Sequence, residues 1–169
     1  MNKENLLEYP LNGDEMLKLN PEARLITYDK LNSVFDIDEV FKNSNKVIIL
    51  YLLQNRNCGH WVCLFKNNQG IQFFDSYGHK PDYEIDNLTE HQRKDYNEKR
   101  NRLTDLMVGK KVFYNDHKFQ QKGTMTCGCF VSHRLNNYFL TDNEYIDELK
   151  KIKNPDLFVA SYCLRKINN

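Results

Sequence analysis

The hydrophobic and polar positions alternate between strand-like and helix-like patterns along the chain. Residues 46–53, KVIILYLL, form an apolar run of strand length, and its lack of alternation indicates a strand that is buried on both faces. Residues 60–66 and 71–77 also have strand patterns, and the NNQG between them is typical of a hairpin turn. Residues 111–116, KVFYND, predict a fourth strand, so the chain supplies a small sheet.

Helical periodicity and capping signals occur between and after these strands. Residues 88–109 predict one long charged helix, which a capping box of Thr89 and Gln92 opens and Gly109 ends. From Cys127 onward, apolar residues recur at helical spacing. Shorter helices are predicted at 13–20, 36–43, 141–152 and 154–164. Together these elements predict an α+β fold in which helices pack on a small sheet.

Length and composition indicate one domain that spans residues 1–169. Hydrophobic residues make up 40% of the chain and aromatic residues 12%, which is enough for a sizeable core. The formal net charge of +1 gives no global electrostatic case for binding nucleic acid, and a local basic patch is the alternative that stays open. No stretch is apolar enough to span a membrane, and the N-terminal residues lack the apolar core of a signal peptide. We therefore expect a protein that is neither secreted nor membrane-spanning.

An odd number of cysteines without a secretion signal predicts reduced thiols in a reducing compartment. The cysteines are Cys58, Cys63, Cys127, Cys129 and Cys163. Their spacing does not fit a structural zinc site, because the Cys127-Gly-Cys129 pair has no second pair at a matching distance. We therefore expect no metal and no other cofactor, and we interpret Cys63, Cys129 and Cys163 as core residues.

The residues around Cys127 contain the parts of a thiol protease site. Cys127 opens a predicted helix, where the macrodipole and the free N–H groups stabilise a thiolate. His60 begins a strand and can accept the thiol proton, while Asp75 on the next strand of the hairpin can orient the imidazole. Each residue also has a structural interpretation: a small buried thiol, a strand-end histidine and a turn cap. His117 is the alternative base.

Two glutamines, Gln120 and Gln121, precede Cys127. A side-chain amide at this position can donate a hydrogen bond to the oxyanion of a tetrahedral intermediate. Gly128 removes side-chain bulk beside the thiol, and we expect this to let a substrate carbonyl approach the backbone. The alternative is that both glutamines are ordinary polar residues of a loop.

The ordered set of motifs resembles the adenovirus-type maturation proteases, within the wider superfamily of ubiquitin-like-protein proteases. The residues that carry the resemblance are His60-Trp61, FDSYG at 74–78, Gln120-Gln121 and Cys127-Gly128. The resemblance implies a single cysteine protease domain with a central mixed β-sheet and the nucleophile at the N-terminus of a central helix. It assigns Cys127 as nucleophile, His60 as base and Asp75 as orienting acid. Gln121 matches the spacing of the ubiquitin-like-protein proteases and Gln120 that of the adenoviral enzymes; we favour Gln121 as oxyanion donor.

The resemblance also implies a function. It predicts a cysteine endopeptidase that cleaves capsid or core precursor proteins during virion maturation, after small residues such as Gly. Such an enzyme would act as a monomer in the virion and in the host cell cytoplasm. A ubiquitin- or SUMO-type deconjugating protease is the alternative, followed by an inactive binding module or an acyltransferase on the same scaffold. Adenoviral relatives use DNA and a peptide as activators, but the near-neutral charge of this chain does not support activation by DNA.

Overall fold

A computed structural model describes residues 3–55, 58–95 and 101–169, in which a mixed β-sheet forms the centre. The strands are β1 Arg24–Thr27, β2 Lys46–Asn55, β3 Cys58–Asn67, β4 Gly70–Phe74 and β5 Val112–Tyr114. They lie in the order β1-β2-β3-β4-β5. The outer pairs β1–β2 and β4–β5 are parallel, whereas the inner pairs are antiparallel. The predicted α+β class with a small mixed sheet is confirmed, and β1 is a strand that the sequence analysis missed.

Helices cover both faces of this sheet. They are α1 Lys3–Leu7, α2 Gly13–Leu19, α3 Ile37–Phe41, α4 Tyr83–Asp86, α5 Glu90–Asp95, α6 Arg102–Met107, α7 Cys127–Asn136, α8 Asp142–Lys150 and α9 Pro155–Asn168. A 3₁₀ helix covers Tyr28–Ser33. A capping box of Thr141 and Glu144 opens α8, one of the predicted helices, and Asn154 caps α9. Within the described ranges, no helix combines the length and the apolar character needed to cross a membrane.

The sheet separates two hydrophobic clusters. One cluster includes residues of α2, α7, α8 and α9, and the other includes residues of the 3₁₀ helix, α3 and α6. Along β3, Cys63 and Phe65 belong to the first cluster, while Val62 and Leu64 belong to the second. This alternation follows from the two-residue period of a strand. β3 is therefore buried on both faces, and its residues near the helix start of α7 are held rigidly.

The prediction of one continuous helix over 88–109 is wrong. The structure has α5 and α6 instead, and Asn101 before α6 has a non-helical backbone with φ −80° and ψ 82°. Residues 96–100 lie outside the described part of the chain. The first three backbone N–H groups of α6 donate to the hydroxyl of Tyr28 and the carboxylate of Asp82. These distant groups satisfy the free amides of a helix start, so the helix begins where they lie.

Candidate active site

The sheet register explains how the predicted base and acid meet. His60 lies on β3, and Asp75 directly follows the last residue of β4. In the antiparallel β3–β4 pair, Cys63 is opposite Phe74, so the next position, Asp75, falls opposite Val62. Val62 and His60 point to the same face of β3, which makes Asp75 and His60 diagonal neighbours on that face. The hairpin thus places the carboxylate beside the imidazole.

His60 and Asp75 form a buried pair. Nε2 of His60 lies 3.2 Å from Oδ1 of Asp75, and the two residues are 6% and 2% exposed. Within the described chain, Nε2 has no hydrogen bond of regular geometry, which is common for a catalytic contact in a free enzyme. The backbone N–H of Tyr77 donates to Oδ1 of Asp75 at 2.7 Å, and the Tyr77 ring stacks on His60 with centroids 5.3 Å apart. These contacts fix both partners.

Cys127, the first residue of α7, lies beside the imidazole of His60 and interacts with it. Burial raises the pKa of Cys127, but the hydrogen bond and charge of His60 and the backbone N–H groups of Trp61 and Gly128 bring that pKa below its ordinary value. Burial lowers the pKa of His60, but Asp75 and then Cys127 bring it well above its ordinary value. The arrangement therefore favours a thiolate beside an imidazolium, which is the reactive form of a thiol.

The turn after Asp75 is held by features that the sequence analysis did not single out. The side chain of Asn115 accepts from the backbone N–H of Asp75 at 3.1 Å and donates to its carbonyl at 2.8 Å. Gly78 has φ +73°, and a Cβ there would lie 2.9 Å from backbone atoms of residues 116–117. Only glycine fits this turn without strain. Asn115 thus positions the acid, and no local pattern around it signals that role.

The two glutamines lie in different environments. Gln120 is 2% exposed; its Oε1 accepts from the Ser76 hydroxyl at 2.7 Å, and its Nε2 donates to the Thr124 carbonyl at 2.9 Å. Ser76 directly follows Asp75, so its hydrogen bond links Gln120 to the segment that contains the candidate acid. Gln121 is exposed, and the hydrogen bonds that the structure shows for it involve its backbone. This geometry favours Gln120 as a side-chain donor, contrary to the preference for Gln121 that spacing suggested.

A buried carboxylate anchors the loop that leads to Cys127. Asp156, in the first turn of α9, is 0% exposed. It accepts from the hydroxyls of Thr126 at 2.6 Å and Thr124 at 2.8 Å, and from the backbone N–H of Gln121 at 3.2 Å. Thr126 directly precedes Cys127. The role of Asp156 is not visible in the sequence, since an acid in a first helical turn equally fits an ordinary interaction with the helix dipole.

Comparisons with known proteins give a viral relative. No protein-family model matches the chain. "Uncharacterized protein V9" of Sputnik virophage is 33% identical over 129 residues, which are 73% of this chain and 73% of V9. The chain belongs to the V9 family. No function follows from the name of V9 itself.

Solved structures with similarity to this V9-family chain include ChlaDub1 and a Ulp1 protease domain. ChlaDub1 from Chlamydia trachomatis has a TM-score of 0.49 at 12% identity, over 96% of this chain and 94% of ChlaDub1. The C-terminal Ulp1 protease domain, in complex with the yeast ortholog of SUMO, Smt3, has a TM-score of 0.39 at 15% identity, over 99% and 82%. Neither of these is an adenoviral enzyme.

Gly128 of this V9-family chain is explained by packing. A Cβ at Gly128 would lie 3.0 Å from Sδ of Met16 and 3.1 Å from the Trp61 ring. The Trp61 indole in turn donates to the carbonyl of Leu11 at 3.0 Å. The space that a Cβ at Gly128 would occupy is therefore filled by Met16 and Trp61, so packing accounts for the glycine. The expectation that Gly128 lets a substrate carbonyl approach the backbone stays a prediction. His117, the alternative base, packs on an aromatic ring of Phe119 with centroids 4.7 Å apart.

Proposed function

We propose that this chain is a cysteine endopeptidase with Cys127 as nucleophile, His60 as base and acid, and Asp75 as orienting carboxylate. The observation that carries the proposal is the buried His60–Asp75 pair beside Cys127, with 3.2 Å between Nε2 and Oδ1, in surroundings that lower the pKa of the thiol and raise the pKa of the imidazole. Such a pair is the requirement for thiol-based acyl transfer. We propose Gln120 as the side-chain oxyanion donor, because its amide is buried and oriented by Ser76.

The proposed reaction has two stages. The Cys127 thiolate attacks the carbonyl carbon of the scissile peptide, a C–S bond forms, and the carbonyl oxygen takes the electron pair. The amide of Gln120 and the backbone N–H of Cys127 donate to that oxyanion. When the intermediate collapses, the C–N bond breaks and the leaving amine takes the proton of His60, which leaves a thioester. His60 then removes a proton from water, the resulting hydroxide attacks the thioester, and the thiolate is restored.

For the substrate, we propose capsid or core precursor proteins that are cleaved after small residues such as Gly during virion maturation. The support is the membership in a family that includes a virophage protein. In this proposal the enzyme acts as a monomer in the virion and the host cell cytoplasm. The net charge of +1 offers no support for activation by DNA. A ubiquitin- or SUMO-type deconjugating protease would use the same chemistry on a ubiquitin- or SUMO-type substrate instead of a precursor protein.

Parallel assays with several substrates test both the proposed peptidase activity and the proposed class of substrate. The purified chain and its Cys127→Ala variant are incubated with a virophage capsid precursor, with Gly-containing fluorogenic peptides, and with ubiquitin- and SUMO-derived fluorogenic substrates. We expect the unmodified chain to cleave the precursor and the peptides, and the variant to cleave nothing. Preferential release from ubiquitin or SUMO would replace the maturation proposal by deconjugation. Failure to cleave any of them, with Cys127 still reactive toward iodoacetamide, would contradict the peptidase proposal.

A further inference from the structure

The side of His60 that faces away from Cys127 holds more ionisable groups than the proposed peptidase chemistry uses. One ring nitrogen of His60 and one carboxylate oxygen each of Asp75 and Glu84 all lie within 4.8 Å of one another. Nδ1 of His79 lies 3.9 Å from Oδ2 of Asp75 and 3.6 Å from Oε1 of Glu84. His79 therefore borders this group of three and faces both of its carboxylates.

Two of these atoms have no well-aligned partner within the described chain: Nε2 of His60 and Nδ1 of His79. His60 is only 6% exposed, so water is largely excluded from its ring. Buried polar atoms are normally satisfied, and an exception in a native structure indicates strain, catalysis or a missing ligand. Catalysis accounts for His60 alone. The second nitrogen, on His79, faces the same two carboxylates and takes no part in the proposed reaction.

We propose that His60, Asp75, His79 and Glu84 form a binding site for a zinc-type divalent cation. Imidazole nitrogen and carboxylate oxygen are zinc ligands, and four of them make a complete tetrahedral set. With bonds of about 2.0–2.2 Å, the ligand atoms of such a set lie roughly 3.3–3.6 Å apart. Nε2 of His60 lies 3.2 Å from Oδ1 of Asp75 and Nδ1 of His79 lies 3.6 Å from Oε1 of Glu84, both close to that range. The ligand atoms of His60, Asp75 and Glu84 lie within 4.8 Å of one another, so a bound cation would draw these side chains closer together. Calcium and magnesium prefer oxygen ligands, so the two nitrogens select against them.

The cation regulates the peptidase, and this consequence rests on the proposed function. A cation on Nε2 displaces the proton of His60 from that nitrogen to solvent. It also takes the carboxylate of Asp75, which then no longer stabilises the charged imidazole. The site is thus an inhibitory one: the cation and the working His60–Asp75 pair exclude each other. The binding step itself does not depend on any peptidase activity.

Calorimetric titration with zinc chloride tests the site. The Cys127→Ala variant serves as the host, because it removes the thiolate that could otherwise bind zinc next to His60. We expect this host to bind one equivalent. Glu84→Gln or His79→Ala in the same host should each weaken binding at least about tenfold, as loss of metal-site groups typically does. The control is Glu39→Gln, which removes an exposed acid on α3 and should leave the affinity unchanged.

Two outcomes would overturn the proposal. One is zinc binding that neither Glu84→Gln nor His79→Ala weakens. The other is binding by the unmodified chain that disappears in Cys127→Ala, which would place the metal on the thiolate. Thermal unfolding of each metal-free variant shows whether the fold is kept, and the two independent substitutions guard against one that misfolds. Because the titration needs no turnover, its result stands apart from the fate of the peptidase proposal.

Discussion

Two thiols of α7, Cys127 and Cys129, lie two residues apart and differ in the properties that govern reactivity. Cys127, at the helix start, contacts His60, and its pKa is lowered. Cys129 is 2% exposed in the core, where a hydrogen bond with Cys163 and burial raise its pKa well above the ordinary value. Burial raises the pKa of Cys63 in the same way. Neighbouring groups, rather than residue type, thus decide which thiol is a nucleophile.

The largest expected effect separates the two thiols directly. Cys127→Ala should remove all measurable peptide hydrolysis, because no other described thiol contacts a base. Cys129→Ala should keep turnover and lower the midpoint of thermal unfolding, because it removes a buried side chain. Hydrolysis assays and thermal unfolding of both variants check this. Turnover by Cys127→Ala would show that Cys127 is not the nucleophile.

The second effect concerns the base. His60→Ala should lower kcat by about 10⁴-fold, at the upper end of what general acid–base catalysis contributes. It should also move the pH profile of Cys127 alkylation. In the unmodified chain, His60 lowers the pKa of Cys127, so the thiolate forms at a lower pH than it would without this neighbour. Without His60 the thiolate forms only at higher pH, so alkylation at neutral pH should slow.

His117→Ala is the matched control for the base. We expect it to leave turnover nearly unchanged, since the His117 ring packs on Phe119. If His117→Ala abolishes turnover and His60→Ala does not, then the base has been assigned to the wrong histidine.

The third effect distinguishes the two glutamines. Gln120→Ala should lower kcat by about 10²–10³, roughly 3–4 kcal/mol, as the loss of one oxyanion donor does. Alkylation of Cys127 should stay unchanged, because that reaction forms no oxyanion. Gln121→Ala, the control, should be mild, since its side chain is exposed. A severe Gln121→Ala with a mild Gln120→Ala would restore the spacing-based assignment.

The smallest effect concerns the anchor of the loop. Asp156→Asn keeps an oxygen that accepts from the hydroxyls of Thr124 and Thr126. It also places an NH₂ group against the backbone N–H of Gln121, so that two donors face each other. Loss of one charge-assisted hydrogen bond costs about 1.5–3 kcal/mol of stability. We expect kcat to fall about tenfold with little change in KM, because the loop positions catalytic groups rather than binding substrate. Steady-state kinetics and thermal unfolding measure both, and a change in KM alone would argue against a positioning role.

Local sequence patterns predicted most of the fold. They failed where contacts between residues distant in the sequence determine whether an element forms or where it begins. The strands β2 to β5 and the capped helices α8 and α9 carry their own signals in periodicity and caps. β1 is four residues long with one buried side chain, so its pairing with β2 leaves little trace in its sequence. The break before α6 depends on Asp82, which caps its first amides from outside the helix.

The same division applies to the candidate site. Cys127 and His60 could be singled out as candidates because a helix start and a strand start are visible in the sequence. The burial of Gln120 and the exposure of Gln121 could not be predicted, because they depend on the hydrogen bond between Gln120 and Ser76 across the fold. Asp156 was missed because its three donors lie some 30 residues earlier in the chain.

The position of Asp156 also has a consequence for the order in which the site forms. A ribosome makes the chain from the N-terminus, so His60, Asp75 and Cys127 all emerge before α9 does. Until Asp156 arrives, Thr124, Thr126 and the backbone of Gln121 lack their buried acceptor, and the loop before the nucleophile has no anchor. The loop before Cys127 therefore gains its anchor only after α9 has been synthesised. For the proposed peptidase, we expect activity to appear only after that step.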